Sequence, residues 1–213
     1  MPRLFDIGCS AIGLLLLSPL FFAIAVLILI GDGPPILFTQ LRVGKNGKRF
    51  DIWKFRTMRP GFAGIPVTAS HDKRITRIGR ELRRYKLDEL PQLFNVLRGD
   101  MSLVGPRPEV ADYVNLESAD WQAVLRVRPG ITDMATLLYR NEEELLSAAG
   151  DIESFYCGHL LPAKLFLHRR YLQERSFWTD LKLIFLTIHY SFFTRDFDPD
   201  LVKRKLGMGT GNG

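Results

Sequence analysis

Asp88 and Glu89 are adjacent carboxylates at the head of a run of leucines, Leu87, Leu90, Leu93 and Leu97, spaced as on one helix face. Pro91 is tolerated only in a helix's first turn, so the helix is predicted to start close to Asp88. An Asp there is a good N-cap, and acids suit the positive end of the helix dipole. The neighbours suggest more than capping. Arg83, Arg84 and Lys86 precede the pair directly, and Lys54 and Arg56 lie on one face of a candidate strand upstream. Carboxylates among cations at a helix N-terminus suit phosphate and a divalent metal. A carboxylate held ionised there can also act as a nucleophile toward phosphorus. A second unusual stretch is Gly105-Pro106-Arg107-Pro108. Prolines on both sides restrict the backbone around Arg107 and pre-order a guanidinium whose planar fork suits bidentate phosphate binding.

Other familiar chemistries lack their residues. The four His (His71, His159, His168, His189) have no zinc spacing, and no Walker loop, dinucleotide loop or nucleophile elbow occurs.

The elements that must position these residues are readable in outline. Ile36–Arg42 and Arg49–Arg56 are predicted as two strands around the turn signal Lys45-Asn46-Gly47-Lys48. Pro60–Ser70 is a Gly/Pro-rich surface loop, and Lys73–Tyr85 a basic helix with Ile75, Ile78 and Leu82 on one face. Residues 109–154 hold ten acids against three Arg, and Glu142-Glu143-Glu144 reads as a solvated helix face. Leu181–Phe193 is an apolar patch interrupted by Lys182 and His189, which fits an amphipathic helix in the core or at a membrane interface. The Gly-rich end reads as a frayed tail.

The 213 residues carry a formal charge of +6, 46% of them are hydrophobic, and the chain holds two Cys. Disorder, a collagen or solenoid repeat and a disulfide framework are excluded, and Cys9 and Cys157 are expected reduced. The averages conceal a segregation. From Ile7 to Ile30 there are 24 residues without a charge, enough as a helix for ~36 Å against a ~30 Å hydrocarbon core. Residues 42–86 then hold 14 Lys/Arg and three acids, a net of +11 that leaves −5 for the rest. Ser18-Pro19 breaks the middle of the apolar run, where Pro removes a backbone hydrogen bond and a Ser hydroxyl can satisfy a freed carbonyl. Positive charge flanks both ends, and Lys/Arg prefer the cytoplasmic side, so a kinked, re-entrant helix is favoured over a cleaved signal or a simple span.

Arg74-Ile-Thr-Arg-Ile-Gly-Arg80 and Leu87-Asp-Glu-Leu-Pro-Gln-Leu-Phe-Asn-Val-Leu-Arg-Gly-Asp-Met-Ser-Leu-Val-Gly-Pro-Arg-Pro108 closely resemble the bacterial sugar transferase family, the monotopic polyprenol-phosphate phosphoglycosyl transferases. Phe38–Gly44, Trp53–Met58, the Ser18-Pro19 break, Arg128-Pro-Gly-Ile-Thr132 and Ser176–Lys182 are similar to that family too. The resemblance implies an α+β, mostly helical fold: a re-entrant membrane helix over 1–35, then a cytosolic catalytic domain over 36–213 with a short β-hairpin and interfacial amphipathic helices. It implies transfer of a sugar-1-phosphate from a nucleotide diphosphate sugar, usually a UDP-sugar, to polyprenol (undecaprenyl) phosphate, with Mg²⁺. Asp88 would be the nucleophile and touch Mg²⁺. Glu89 would be its partner in metal or proton handling. Lys54, Arg56 and Arg83 would contact phosphate, and Arg107 would help hold the nucleotide sugar. The setting would be the cytoplasmic face of the bacterial plasma membrane, at the start of a membrane-linked glycan. Nucleic acid is not an expected partner, and a homodimer is left open.

Two departures from the family pattern stand out. Many members follow Arg-Pro-Gly-Ile-Thr with Gly-Trp-Ala-Gln-Val-Asn-Gly-Arg, where this chain has Asp133-Met-Ala-Thr-Leu-Leu-Tyr-Arg140, and His168 stands where an Asp is common. Both lie outside the Asp88-Glu89 pair and bear on which sugar is transferred. The rival readings are a membrane-tethered basic module binding anionic lipid or nucleic acid through residues 42–86, and a catalytically idle scaffold.

Overall fold

The computed structural model describes residues 1–59, 61, 67–70 and 72–208. Most of the predicted Pro60–Ser70 loop, His71 and the final five residues lie outside that set.

The apolar N-terminus folds as two helices, α1 (Arg3–Leu16) and α2 (Ser18–Gly31), bent by 59° at Leu17. Pro19 sits in the first turn of α2, and the Ser18 hydroxyl donates to the Leu15 carbonyl at 2.7 Å. The break therefore forms where the proline forces it, and a neighbouring hydroxyl satisfies a freed carbonyl. Neither helix alone is long and apolar enough to cross a membrane; the bent pair together meets that length and composition. Leu4, Leu15, Leu16, Phe22 and Ile30 are exposed. The inner side of the pair docks on the rest of the chain. Buried Asp6 accepts from the Ser102 hydroxyl at 2.9 Å and the Leu103 amide at 3.1 Å, and Ile24 and Ile28 pack with Phe55 and Leu82.

The predicted hairpin is present. Strands β1 (Leu37–Val43) and β2 (Arg49–Phe55) pair antiparallel with Phe38 opposite Lys54, around a turn in which Asn46 takes φ 57°. Arg56 falls one residue beyond β2. The basic helix is shorter than its pattern predicts. Asp72 pairs with Arg74, Ile75 bridges to Met58, and Thr76 caps α3 (Arg77–Arg84) by accepting from the Gly79 amide.

The leucine run is divided. Lys86 takes a left-handed conformation (φ 56°), Leu87–Glu89 forms a single 3₁₀ turn, and α4 (Gln92–Arg98) begins after Pro91. Asp88 is thus not the N-cap of α4. The left-handed Lys86 separates α3 from the turn that carries Asp88. Beyond Gly99, β3 (Ser102–Val104) pairs parallel with β4 (Gly130–Thr132), and α5 (Ala119–Val124) lies between them in sequence. The remainder is helical: α6 (Met134–Leu138), α7 (Glu142–Ser147), α8 (Ile152–Phe155), a π-helical turn Tyr156–Leu160, α9 (Leu161–Glu174), α10 (Phe177–Phe192) and α11 (Pro199–Lys205).

The main core gathers Val104, Met134, Leu137, Tyr171, Leu183, Leu186 and Tyr190 from β3, α6, α9 and α10. Of the two roles that its sequence left open, helix α10 takes the core role on one face, and its other face is apolar and exposed. Leu183, Leu186 and Tyr190 are buried, while Trp178 (75% exposed), Phe185 (70%), Ile188 and Phe192 face outward. Of the Gly-rich end expected to fray, Met208 is buried against Ala135 and Leu167, and residues 209–213 lie outside the described set.

Candidate active site

One cavity of about 610 Å³ is lined by all six charged residues singled out from the sequence: Lys54, Arg56, Arg83, Asp88, Glu89 and Arg107. The Leu87–Glu89 turn presents Asp88 and Glu89, both buried. β2 brings in Lys54, whose Nζ donates to Glu89 Oε1 at 2.9 Å. Arg107 grips the same carboxylate with two bonds, Nη2 to Oε1 at 2.6 Å and Nη1 to Oε2 at 3.1 Å.

The rigidity that holds Arg107 has a visible origin. Gly105 and Gly130 cross so closely that a Cβ on Gly130 would lie 2.1 Å from the Gly105 nitrogen, and one on Gly105 would lie 2.5 Å from the Arg128 carbonyl oxygen. Gly105 donates to Thr132 O, and Gly130 donates to Pro106 O. The Arg128-Pro-Gly-Ile-Thr132 segment is therefore the clamp that holds Gly105–Pro108 in place.

Asp88 and Glu89 are pushed in opposite directions. Burial raises the Asp88 carboxyl above its ordinary value, against the pull of Lys54. Burial acts on Glu89 as well, but the adjacent Arg107 and Lys54 hold it well below the usual carboxylate range. Neighbouring carboxylates driven apart in this way suit different roles. Asp88 Oδ1 is buried and has no hydrogen-bond partner among the described residues. A partnerless buried carboxylate oxygen is costly unless a ligand completes it.

The remaining predicted cations have partners at the cavity wall. Arg83 reaches from α3 to α7, with Nε donating to Glu143 Oε1 at 3.0 Å and Nη1 to Thr57 Oγ1 at 3.3 Å. Arg56 is buried. Its Nη2 donates to the carbonyls of Asp32 (2.9 Å) and Gly33 (2.6 Å), tying the end of α2 to the hairpin, while its Nε and Nη1 have no partner among the described residues.

Sequence reasoning missed a further part of the cavity lining. Glu109, Tyr156, Lys164 and Glu142 line the same cavity as one bonded cluster. Glu142 and Glu143 are therefore not the solvated face predicted for them, because each pairs with a cation at the cavity. A single signal was available: Glu109 lies two residues after Arg107, on the same face of an extended segment.

A divalent cation fits the donors present. Carboxylate oxygen is its natural ligand, and Asp88 Oδ1 is buried and unsatisfied. No group of three His, Cys, Asp or Glu side chains among the described residues could hold a metal on its own.

Asp88, a buried carboxylate whose Oδ1 has no partner among the described residues, thus lies in one cavity with a second carboxylate, Glu89, held by Lys54 and Arg107. The chain belongs to the bacterial sugar transferase family, whose sequence model matches residues 1–194. It is 38% identical over 203 residues to an undecaprenyl-phosphate glucose phosphotransferase of Komagataeibacter xylinus, covering 91% of this chain and 36% of that protein. It is 37% identical over 191 residues to a UDP-glucose:undecaprenyl-phosphate glucose-1-phosphate transferase of Caulobacter vibrioides, covering 87% and 67%. It is 34% identical over 203 residues to the exopolysaccharide production protein ExoY of Rhizobium meliloti, covering 87% and 83%. The matched region is 36–41% of the longer relatives, such as those of Komagataeibacter xylinus and Escherichia coli.

Proposed function

We propose that this chain transfers a sugar-1-phosphate from a UDP-sugar to a polyprenol phosphate, undecaprenyl phosphate in the naming of its relatives, in two displacements at one carboxylate. An Asp88 oxygen forms a bond to the sugar-bearing phosphorus as the bond to the UMP oxygen breaks, and UMP leaves with the electron pair. A phosphate oxygen of the polyprenol phosphate then attacks the same phosphorus and releases Asp88, giving polyprenol diphosphate sugar. The covalent intermediate allows a soluble donor and a membrane-bound acceptor to be handled in turn.

The observation that carries the reading is Asp88 itself: a buried carboxylate whose Oδ1 has no hydrogen-bond partner among the described residues, in a cavity lined by Lys54, Arg56, Arg83 and Arg107. Pyrophosphate is a poor electrophile until its charge is met. The Arg56 nitrogens without partners and the remaining N–H groups of Arg107 are donors for it. Asp88 through Oδ1, and Glu89 through lone pairs not used by Lys54 and Arg107, would hold Mg²⁺. When bound it would neutralise phosphate charge and favour the ionised form of Asp88. Glu89 keeps Lys54 and Arg107 in register around that carboxylate.

The bent α1–α2 pair would enter and leave one leaflet as a re-entrant element over residues 1–35, with 36–213 on the cytoplasmic face of the plasma membrane. The exposed apolar faces of this pair and of α10 support that placement.

The test is UMP release from a panel of UDP-sugars with polyprenol phosphate and Mg²⁺. Asp88→Asn should abolish release while leaving membrane association unchanged, and chelation should abolish wild-type release until Mg²⁺ is restored. Normal turnover by Asp88→Asn would remove the nucleophile assignment. A basic binding module, by contrast, would bind anionic vesicles more tightly after losing an acid and would release no UMP.

A further inference from the structure

The cavity wall beyond Arg107 differs in kind from the phosphate wall. Glu109 Oε1 accepts from the Tyr156 hydroxyl at 2.7 Å and from Lys164 Nζ at 3.4 Å. Lys164 Nζ also donates to the Tyr156 oxygen at 3.1 Å and to Glu142 Oε2 at 3.1 Å. Arg42 Nη1 lies 3.5 Å from Glu109 Oε2, and Arg42 Nε is buried without a partner among the described residues. These five side chains come from β1, the segment after Arg107, α7, the π-helical turn and α9, and all line the cavity.

A purely structural role accounts poorly for this cluster. Buried ion pairs are commonly no more stabilising than apolar side chains of the same volume, so a core has no need of one. Lys164 and Glu109 are nevertheless almost fully buried. Tyr156 opens a π-helical turn, a distortion that often marks functional sites.

The charge balance shows what the wall suits. Two carboxylates face two cations, so the wall has no net charge to attract phosphate, yet it presents acceptors and donors close together. That is the pattern for a neutral ligand rich in hydroxyl groups. Its position fits as well. Arg107 and Glu109 are two residues apart in sequence and line the same cavity, and the Glu109 and Glu142 charges act on Arg107, so this wall adjoins the guanidinium that holds Glu89.

We propose that Glu109, Tyr156 and Lys164, with Arg42 and Glu142 beside them, form the subsite that reads the hydroxyl groups of the donor's sugar ring. The inference rests on the phosphosugar-transfer reading above. Glu109 and Tyr156 are thereby specificity-determining residues, distinct from the Asp88 chemistry.

The experiment compares UMP release by the full membrane-embedded chain from UDP-glucose and UDP-galactose, which differ in one hydroxyl, and from their N-acetyl forms, with UMP as a product inhibitor. Tyr156→Phe keeps the ring, which packs against Tyr113, and removes one hydroxyl. Glu109→Gln keeps the shape and removes the charge. Each should change the kcat/KM ratio between paired donors by about tenfold, with the UMP inhibition constant unchanged. An unmoved donor ratio, or a loss of UMP inhibition as large as the loss of donor use, overturns the subsite. If Glu109→Gln fails to fold, Tyr156→Phe decides alone. A wild-type chain that releases UMP with unmoved ratios in the variants defeats only this inference. A wild-type chain that releases none defeats the transferase reading and this inference together.

Discussion

The Asp133 carboxylate and the His168 ring face each other in the interior, Oδ2 against Nδ1, with Asp133 fully buried and His168 2% exposed. Asp133 opens the stretch Asp133–Arg140 that, with His168, departs from the resembled pattern, and the two residues are 35 apart in sequence. One departure supplies the partner for the other. Asp133 also caps α6 by accepting from the Thr136 amide at 2.7 Å, and α6 brings Thr136 to the cavity wall.

Removing one partner strands the other. His168→Ala should leave a buried carboxylate without its ring and destabilise the protein by about 3 kcal/mol. Asp133→Asn combined with His168→Ala should cost less than the sum of the two single changes. Denaturant unfolding of all three variants measures the coupling.

The same pair predicts a pH response. Burial pushes the Asp133 carboxyl up, but the His168 ring and the Thr136 amide more than offset it, so its pKa lies below the ordinary value. A carboxyl depressed on folding contributes stability that is fully present above its unfolded value and is lost as pH falls through the folded one. Thermal unfolding should therefore show an acid-side slope below about pH 4, diminished in Asp133→Asn. An unchanged slope would count against this contribution.

Glu143 competes for Arg83. The guanidinium expected to meet donor phosphate is held by this carboxylate from α7. Glu143→Gln should lower KM for the nucleotide sugar about threefold, the scale of a partly exposed ion pair. Glu144→Gln, on the exposed side of the same helix, should leave KM unchanged. Equal shifts in both would show a general charge effect.

The Gly105–Gly130 crossing sets where Arg107 lies. Gly130→Ala places a methyl group 2.1 Å from the Gly105 nitrogen and should cost about 3 kcal/mol, with a fall in kcat as Arg107 leaves Glu89. Gly150→Ala meets nothing within 4 Å and should be silent in both unfolding and turnover assays.

The bend at Leu17 is set by two residues. With Ser18 and Pro19 in place, a cysteine substituted for Pro2 should be shielded from an impermeant thiol reagent outside intact cells. Ser18→Leu with Pro19→Leu should straighten the apolar run and expose that cysteine. Labelling of the single Pro2→Cys chain would mean that the segment spans.

Local chemistry made part of this protein legible in advance. Pro19 has no amide to donate and fixes φ, so the break in the apolar run needs no tertiary context. The Asn46-Gly47 turn and the strands around it are equally local, because a two-fold side-chain period and a left-handed Asn suffice. Asp88, Glu89, Lys54 and Arg107 stood out because the carboxylates are surrounded in sequence by cations and Arg107 is flanked by prolines, although each also has a structural use such as capping or a rigid turn.

What the chain folded into space decided was which charge meets which. Arg83 and Arg107 look alike in sequence as phosphate donors, yet one is held by Glu143 and the other by Glu89, across 60 and 18 residues. Glu142 read as a solvated acid until α9 brought Lys164 against it, and the Asp133–His168 pairing exists only because α6 packs on α9. Sequence periodicity shows which side of an element is buried. Ion pairing depends on contacts between elements far apart in the chain, and only tertiary packing sets those distances.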